Sequence, residues 1–243
     1  MDCFKRTLSL PLPLAVYIDR KHAHYVIDLV KRMRPEGVPF TRIVPIDQSW
    51  LEKNIHAFSP TIAKREASVM RSDSYRKRTQ HRRGYPEHEI PAYNLINHAK
   101  IDFVMNAVEQ PGMPQFAYYS WIDFGYLSDP RYVSSGCINT GRINPDAVTI
   151  MTVNPPDPRD GDPLYTLVQA PEKFAGGFFI GSKRVLSVYQ REYHSALQRL
   201  HEAGIADDDQ AVIANLFYHS RDPVCQIEWH PGGFKGALLW ITS

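Results

Sequence analysis

The sequence predicts a single α/β domain over residues 1–243, with a mostly parallel central sheet flanked by helices. Leu14–Ile18 is a short apolar run with β-branched and aromatic members, which is typical of an interior strand. A helical periodicity over residues 22–33 and a second strand candidate at Thr41–Ile46 follow this run. Strand, helix and strand within about 35 residues indicate a βαβ unit, whose two strands are parallel.

Composition and charge exclude several classes of protein. Apolar residues make up 43% and charged residues 22%, which excludes a wholly disordered chain. The net charge of +2 is too small for a protein whose main task is to bind polyanions, so no nucleic-acid partner is expected. Three cysteines without metal-site spacing favour a reducing, cytoplasmic location.

No stretch approaches the roughly 18 to 20 apolar residues that span a bilayer, so no integral membrane segment is expected. Residues 1–13 are interpreted as the approach to the first strand rather than a secretory signal, because they contain two prolines.

The middle of the chain alternates a basic segment, a helix and a strand. Residues 71–83 are strongly basic and lack an apolar face, so 71–90 is expected to be an exposed basic loop. Tyr93–Val108 has one apolar face and predicts a helix. Phe116–Phe124 predicts a buried central strand, whose end is the segment Asp123–Gly125. A polar group at the carboxyl end of such a strand lies where ligands of open α/β sheets bind.

The C-terminal half predicts further strands, two helices and a long loop. Strands are expected at Val148–Val153, Tyr165–Gln169, Phe174–Gly181 and within the tail Val224–Ile241. Lys183–Ala203 and Asp207–Tyr218 predict helices, the second of which begins with three acids that suit the positive end of a helix dipole. Asn154–Pro163 is rich in proline, aspartate and glycine and predicts an exposed loop.

Four short motifs together resemble one protein family. They are Tyr93–Lys100, Trp121–Gly125, Gly176–Gly181 and Asp208–Gln210. In this order they resemble the HtrL/YibB family of bacterial proteins, which is similar to glycosyltransferases of the GT-A fold, over roughly residues 10–240. The resemblance implies a GT-A-like domain that transfers a sugar from a nucleotide-sugar donor to a glycan or other hydroxyl acceptor, in surface polysaccharide synthesis. Because only 13 residues precede Leu14, the first strand and helix of that fold are expected to be missing.

The resemblance implies a divalent cation, Mn²⁺ or Mg²⁺, at Asp123. Cleavage of the sugar–phosphate bond builds negative charge on the diphosphate, which a cation stabilises. These hard ions prefer oxygen ligands, which Asp123 and the diphosphate supply. Gly125 replaces the second acid of the usual Asp-x-Asp motif, so one expected ligand is absent and the metal requirement stays open.

The C-terminal turn offers a second metal ligand. His230–Lys235 resembles the His-x-x-Gly-x-x-Lys turn of retaining GT-A enzymes, with a spacing that is one residue shorter. The resemblance implies that His230 ligates the metal and that Gly233 and Lys235 meet the diphosphate. A plain turn is the alternative interpretation of this proline- and glycine-rich stretch.

Charged residues in two other motifs are candidates for donor binding and catalysis. Lys100 lies two helical turns after Tyr93 and is expected to hold the donor phosphate or sugar, unless it is a solvated helix lysine. Asp209 and Asp208 are candidates for the acid that removes the acceptor proton or contacts the donor sugar. The alternative is that these acids only cap a helix.

Two more pairs of residues complete the predicted donor site. Gly176 and Gly177 allow a sugar to approach the backbone closely, or they serve strand packing alone. Tyr17 and Asp19, at the end of the first strand, are expected to contact the base and ribose, unless they are ordinary surface residues.

Two other functions remain open at this point. The absent second acid and the absent first strand are also compatible with a non-catalytic nucleotide- or sugar-binding relative of the same fold. A third hypothesis is an RNA- or anionic-glycan-binding protein that uses the basic segment, although no RNA-binding module accompanies it.

Overall fold

The protein is described by a computed structural model that covers residues 2–10, 12–34, 40–129, 131, 139–169, 173–220, 224–229 and 236–242. These residues form a mixed α/β structure with two small sheets and many helices. The strands are β1 Leu14–Asp19, β2 Thr41–Ile46, β3 Tyr119–Ile122, β4 Val148–Thr152, β5 Phe174–Gly181 and β6 Cys225–Trp229.

Helices surround and connect these strands. They are α1 Asp2–Leu8, α2 Ala23–Met33, α3 Gln48–Asn54, α4 Pro60–Arg71, α5 Asp73–Thr79, α6 Pro86–Glu89, α7 Pro91–His98, α8 Lys100–Glu109, α9 Pro163–Gln169, α10 Lys183–Glu202, α11 Asp209–His219 and α12 Ala237–Thr242.

The predicted βαβ unit forms the first sheet. β1 and β2 pair in parallel, with Leu14 opposite Thr41 and Asp19 opposite Ile46. Apolar side chains of α1 and α2, including Leu8 and Val26, pack against the apolar residues of these strands. The amphipathic face of α2 therefore covers the first sheet, as the periodicity of residues 22–33 predicts.

The second sheet has four strands in the order β3-β5-β4-β6. β5 runs antiparallel to both of its neighbours, whereas β4 and β6 are parallel. The expectation of a mostly parallel central sheet is therefore not confirmed. The apolar run Phe174–Gly181 identifies a buried strand. Such a run does not indicate whether the strand is parallel or antiparallel to its neighbours.

The largest hydrophobic core lies between the second sheet and helices α8, α10 and α11. A separate cluster joins the two sheets through α8, because the ring of Phe103 stacks 5.9 Å from that of Trp121 on β3 and 4.7 Å from that of Tyr17 on β1. Helix α8 thus supports the carboxyl end of β3 through the contact of Phe103 with Trp121.

Three segments differ from the expectations. Residues 71–90 are largely helical rather than a loop, because Tyr75 is buried and its hydroxyl donates to the carbonyl of Ala206 at 2.8 Å. Residues Pro163–Gln169 form a helix instead of a strand, since the side chain of Asp162 accepts from the backbone N–H of Leu164 and caps the first turn. Residues 2–8 form a helix whose buried face includes Phe4.

One predicted strand is shorter than expected and one predicted helix is divided in two. The predicted strand at Phe116–Phe124 pairs only over Tyr119–Ile122, and the predicted helix Tyr93–Val108 is divided at Ala99 into α7 and α8. Among the described residues, no helix combines the length and the apolar character needed to cross a membrane.

Candidate functional site

The candidate site begins at Asp123, the first residue after β3. Its backbone N–H donates to the carbonyl of Gly177 on β5 at 3.0 Å, so the sheet register continues to the base of this side chain. The indole Nε1 of Trp121 donates to Oδ1 of Asp123. The side chain is 39% exposed, which leaves the carboxylate accessible from one side.

Lys100 opens α8 and connects three groups through its ammonium. Nζ donates to Oδ2 of Asp209 at 2.7 Å, to the carbonyl of Gly176 at 3.1 Å and to Oδ2 of Asp123 at 3.3 Å. An ammonium has three hydrogens to donate, so the protein itself uses all of them. Burial alone would lower the pKa of Lys100, but Asp209 and Asp123 together raise that pKa above its ordinary value.

Asp209 lies at the start of α11, and its side chain is 7% exposed. A Cβ on Gly176 would lie only 2.2 Å from Oδ2 of Asp209, so glycine is required at this position of β5. A Cβ on Gly177 would lie 3.2 Å from Oδ2 of Asp123. The glycine pair thus makes room for the two carboxylates that Lys100 joins.

Asp208 combines a capping role with an altered acidity. It is the N-cap of α11, and Oδ1 accepts from the backbone N–H of Gln210 at 2.9 Å. Burial and repulsion by Asp209 raise the pKa of Asp208 to about 7. The pKa of Asp207 is also raised well above its usual range, mainly by burial and then by Asp208. Near neutral pH, Asp208 is therefore able to accept or release a proton.

Comparison with known proteins identifies the family. A family model described as "Bacterial protein of unknown function (HtrL_YibB)" matches residues 2–230. The chain belongs to the HtrL/YibB family. No curated protein and no solved structure matches this HtrL/YibB chain, so its similarity to GT-A glycosyltransferases stays a prediction.

Tyr17 and Asp19 of the HtrL/YibB protein make their hydrogen bonds with residues other than Lys100, Asp123 and Asp209. The hydroxyl of Tyr17 donates to the carbonyl of Phe103 at 3.0 Å and contacts Oδ1 of Asn106 at 2.9 Å. Burial raises the pKa of Tyr17 well above its ordinary value. Asp19 is half exposed, and its carboxylate accepts from the backbone N–H of Lys21 at 3.0 Å. Both side chains thus have structural partners in the first half of the chain.

The metal prediction rests on one described ligand. His230, Gly233 and Lys235 lie outside the described residues. Within the described part of the HtrL/YibB protein, no three His, Cys, Asp or Glu side chains form a group that could hold a metal ion. Asp123 offers one carboxylate, whose oxygens already accept from Trp121 and Lys100. The described residues alone do not make a metal site, and we derive no chemical step through a metal.

Trp121 contacts the site through its indole, although it carries no charge and the sequence alone assigns it no functional role. It stands two positions before Asp123, and side chains at i and i+2 of a strand point to the same face. The i, i+2 spacing in the sequence therefore indicates that the side chains of Trp121 and Asp123 lie close together. In the HtrL/YibB protein the indole positions the carboxylate that the resemblance marks as functional.

Proposed function

We propose that the protein is a glycosyltransferase that moves a sugar from a nucleotide-sugar donor to a glycan or other hydroxyl acceptor. The observation that supports this proposal is the meeting of Lys100, Asp123, Asp209 and the Gly176 carbonyl in one contact network. These residues come from four separate segments, and the motif resemblance selected each of them. We further infer a GT-A-like arrangement and a cytoplasmic role in surface polysaccharide synthesis.

The reaction requires a base and a means to stabilise the leaving group. The acceptor oxygen attacks the anomeric carbon, a new C–O bond forms, and the bond from that carbon to the diphosphate breaks. The nucleoside diphosphate leaves with the bonding electrons, and the acceptor proton passes to a base. Asp208, with a pKa of about 7, is suited to take that proton. Asp209 instead is engaged by Lys100 and positions its ammonium.

Lys100 acts in this proposal as a positioning residue. Its three donors are used within the protein, and its contact with Asp123 is the longest of the three. A donor phosphate that approached Asp123 would first replace this carboxylate as an acceptor of the Lys100 ammonium. The residues Lys100, Asp123 and Asp209 together carry one positive and two negative charges when ionised. A divalent cation, Mn²⁺ or Mg²⁺, is the predicted supplement, since it would balance the charge of the diphosphate.

A non-catalytic nucleotide- or sugar-binding relative is the second candidate. The contact of Lys100 with both carboxylates favours it, because that contact leaves neither Asp123 nor Asp209 free of a cation. The two candidates share the same site and differ only in turnover.

One experiment distinguishes these candidates. The protein is titrated with Mn²⁺ or Mg²⁺ and a panel of nucleotide-sugars, while its melting temperature and donor hydrolysis are followed together. Asp123→Asn is compared with Asp28→Asn, which alters an exposed aspartate on α2. Hydrolysis that is lost only in Asp123→Asn supports the transferase. A raised melting temperature without hydrolysis favours the binding relative, and no response to any nucleotide contradicts both.

A further inference from the structure

We propose that a small cavity beside Asp208 binds the hydroxyl-bearing edge of one sugar ring of the acceptor, an inference that rests on the proposed transferase activity. The cavity has a volume of about 110 Å³. It lies between the start of α11, the turn Pro158–Gly161 and residues 82–87. Its lining includes Arg82, Tyr85, Asp160, Phe174, Asp208 and Gln210.

Three lining side chains carry buried polar atoms that have no hydrogen-bond partner among the described residues. These atoms are Nε of Arg82, Oδ1 of Asp160 and Oε1 of Gln210. The side chain of Asp160 has no exposed surface, and its other oxygen accepts from the backbone N–H of Asp157 at 2.7 Å. Buried polar groups without partners are rare and costly in folded proteins. One donor and two acceptors on residues around the cavity are thus unmatched, and a ligand that both donates and accepts hydrogen bonds would match them once these side chains turn toward it.

The chemistry of the lining favours a neutral, hydroxyl-rich ligand. The two basic residues of the lining, Arg82 and Lys173, already lie 3.8 Å and 3.7 Å from the carboxylates of Glu87 and Asp160, which disfavours phosphate or another anion. A sugar hydroxyl both donates and accepts, so it matches guanidinium, carboxylate and amide groups at once. Because a buried water needs roughly 10 to 15 Å³, the cavity has room for several waters or for part of one small ring.

The rim of the cavity offers an aromatic surface. Tyr85 is 48% exposed, and the guanidinium of Arg82 lies 4.1 Å from the centre of its ring. Aromatic rings present an apolar face on which the C–H face of a sugar packs. The phenol ring and the guanidinium at the rim therefore supply an apolar face and hydrogen-bond donors, which match the C–H face and the hydroxyl groups of a pyranose.

The cavity adjoins the Lys100 contacts through two elements. Asp208 lines it and directly precedes Asp209, which contacts Lys100. Phe174 lines it and stands two residues before Gly176 on β5. A sugar held there would place its hydroxyl groups beside Asp208, the proposed base, and next to the segment that carries the donor contacts.

Binding of simple glycosides tests the inference directly. Methyl glycosides of common hexoses and N-acetylhexosamines are titrated into the protein by calorimetry, without any nucleotide. We expect at least one to bind, and Gln210→Leu and Tyr85→Ala each to weaken it about tenfold, the size expected for one lost hydrogen bond or packing surface. The matched variants Gln198→Leu and Tyr25→Ala, at exposed positions of α10 and α2, should bind like the unaltered protein.

The outcomes separate this inference from the proposed function. Glycoside binding that depends on Gln210 and Tyr85, with no use of any nucleotide-sugar, supports the cavity and overturns the transferase. Donor hydrolysis with no glycoside binding, or with binding that both variants retain, overturns the cavity and keeps the transferase. Inorganic phosphate that binds more tightly than every glycoside would also overturn the cavity assignment. Tyr85 is about half exposed, so Tyr85→Ala should fold and keep the test valid even if Gln210→Leu fails to fold.

Discussion

Lys100 and Asp209 form a buried ion pair, with 2.7 Å between Nζ and Oδ2, although 109 positions separate them in the chain. The pair joins the first residue of α8 to the first residue of α11. The carbonyl of Gly176 on β5 accepts from the same ammonium at 3.1 Å. Two helices and a central strand thus meet at one charged group, which holds Asp123 at the edge of the candidate site.

Replacement of Lys100 by methionine should destabilise the protein strongly. Lys100→Met leaves the carboxylate of Asp209 buried without a cation, and breaking a buried ion pair in this way costs about 3 to 5 kcal/mol. Urea denaturation measures the change in the free energy of unfolding. The double variant Lys100→Met/Asp209→Asn should recover part of the loss, because it removes the unpaired charge. A loss below about 1 kcal/mol in the single variant would contradict the burial of this pair.

A methyl group at Gly176 should disrupt the same contacts. In Gly176→Ala the new Cβ would lie 2.2 Å from Oδ2 of Asp209, so the carboxylate has to leave Lys100. We expect a loss of stability of about 1 to 3 kcal/mol, as is typical of overpacking. Gly125→Ala is the matched control, because no atom lies within 4 Å of its Cβ position. Equal melting temperatures for the two variants would show that Asp209 does not occupy this space.

The raised pKa of Asp208 predicts a pH-dependent difference between the protein and Asp208→Asn. The carboxyl binds its proton up to about pH 7 when folded, but only to about pH 4 when unfolded. Between these values the folded state holds more protons, so this group's contribution to stability falls as the pH rises. Asparagine keeps the cap of α11 without ionising.

Thermal and urea unfolding at pH 4 and pH 8 check this prediction. Asp208→Asn should be about as stable as the unaltered protein at pH 4 and more stable at pH 8, by up to about 4 kcal/mol, because the folded and unfolded pKa values differ by about three units. Asp28→Asn, on the exposed surface of α2, should show no such pH-dependent gain. A gain of the same size at both pH values would mean that the carboxyl of Asp208 titrates normally.

Replacement of Tyr17 by phenylalanine tests whether this residue is structural. Tyr17→Phe removes the hydroxyl that contacts Phe103 and Asn106, and we expect a loss of about 1 to 2 kcal/mol in urea denaturation. The affinity for nucleotide-sugars is measured in parallel. A lower affinity with unchanged stability would favour the base- or ribose-binding role that the sequence suggests.

Much of the local structure is predictable from consecutive residues. β2 and β5 occur with the predicted bounds, and α10 differs by a single residue, because an apolar run or an amphipathic repeat records burial directly. The failures occur where tertiary contacts oppose the local pattern. Residues 71–83 look like a solvated loop, yet Tyr75 is anchored to Ala206 from another part of the chain. The directions of the strands in the second sheet cannot be predicted locally either, because they depend on which distant segments pair.

The amino-acid sequence by itself determined the family, the mixed α/β class, and the selection of Lys100, Asp123, Gly176 and Asp209 as site candidates. Only the tertiary structure decided that the Lys100 ammonium donates to Asp123, Asp209 and the Gly176 carbonyl. It also decided that the indole of Trp121 donates to Asp123. The physical reason is that burial and periodicity are properties of neighbouring residues. An ion pair across 109 positions depends on how helices and strands pack, and no local pattern records that packing.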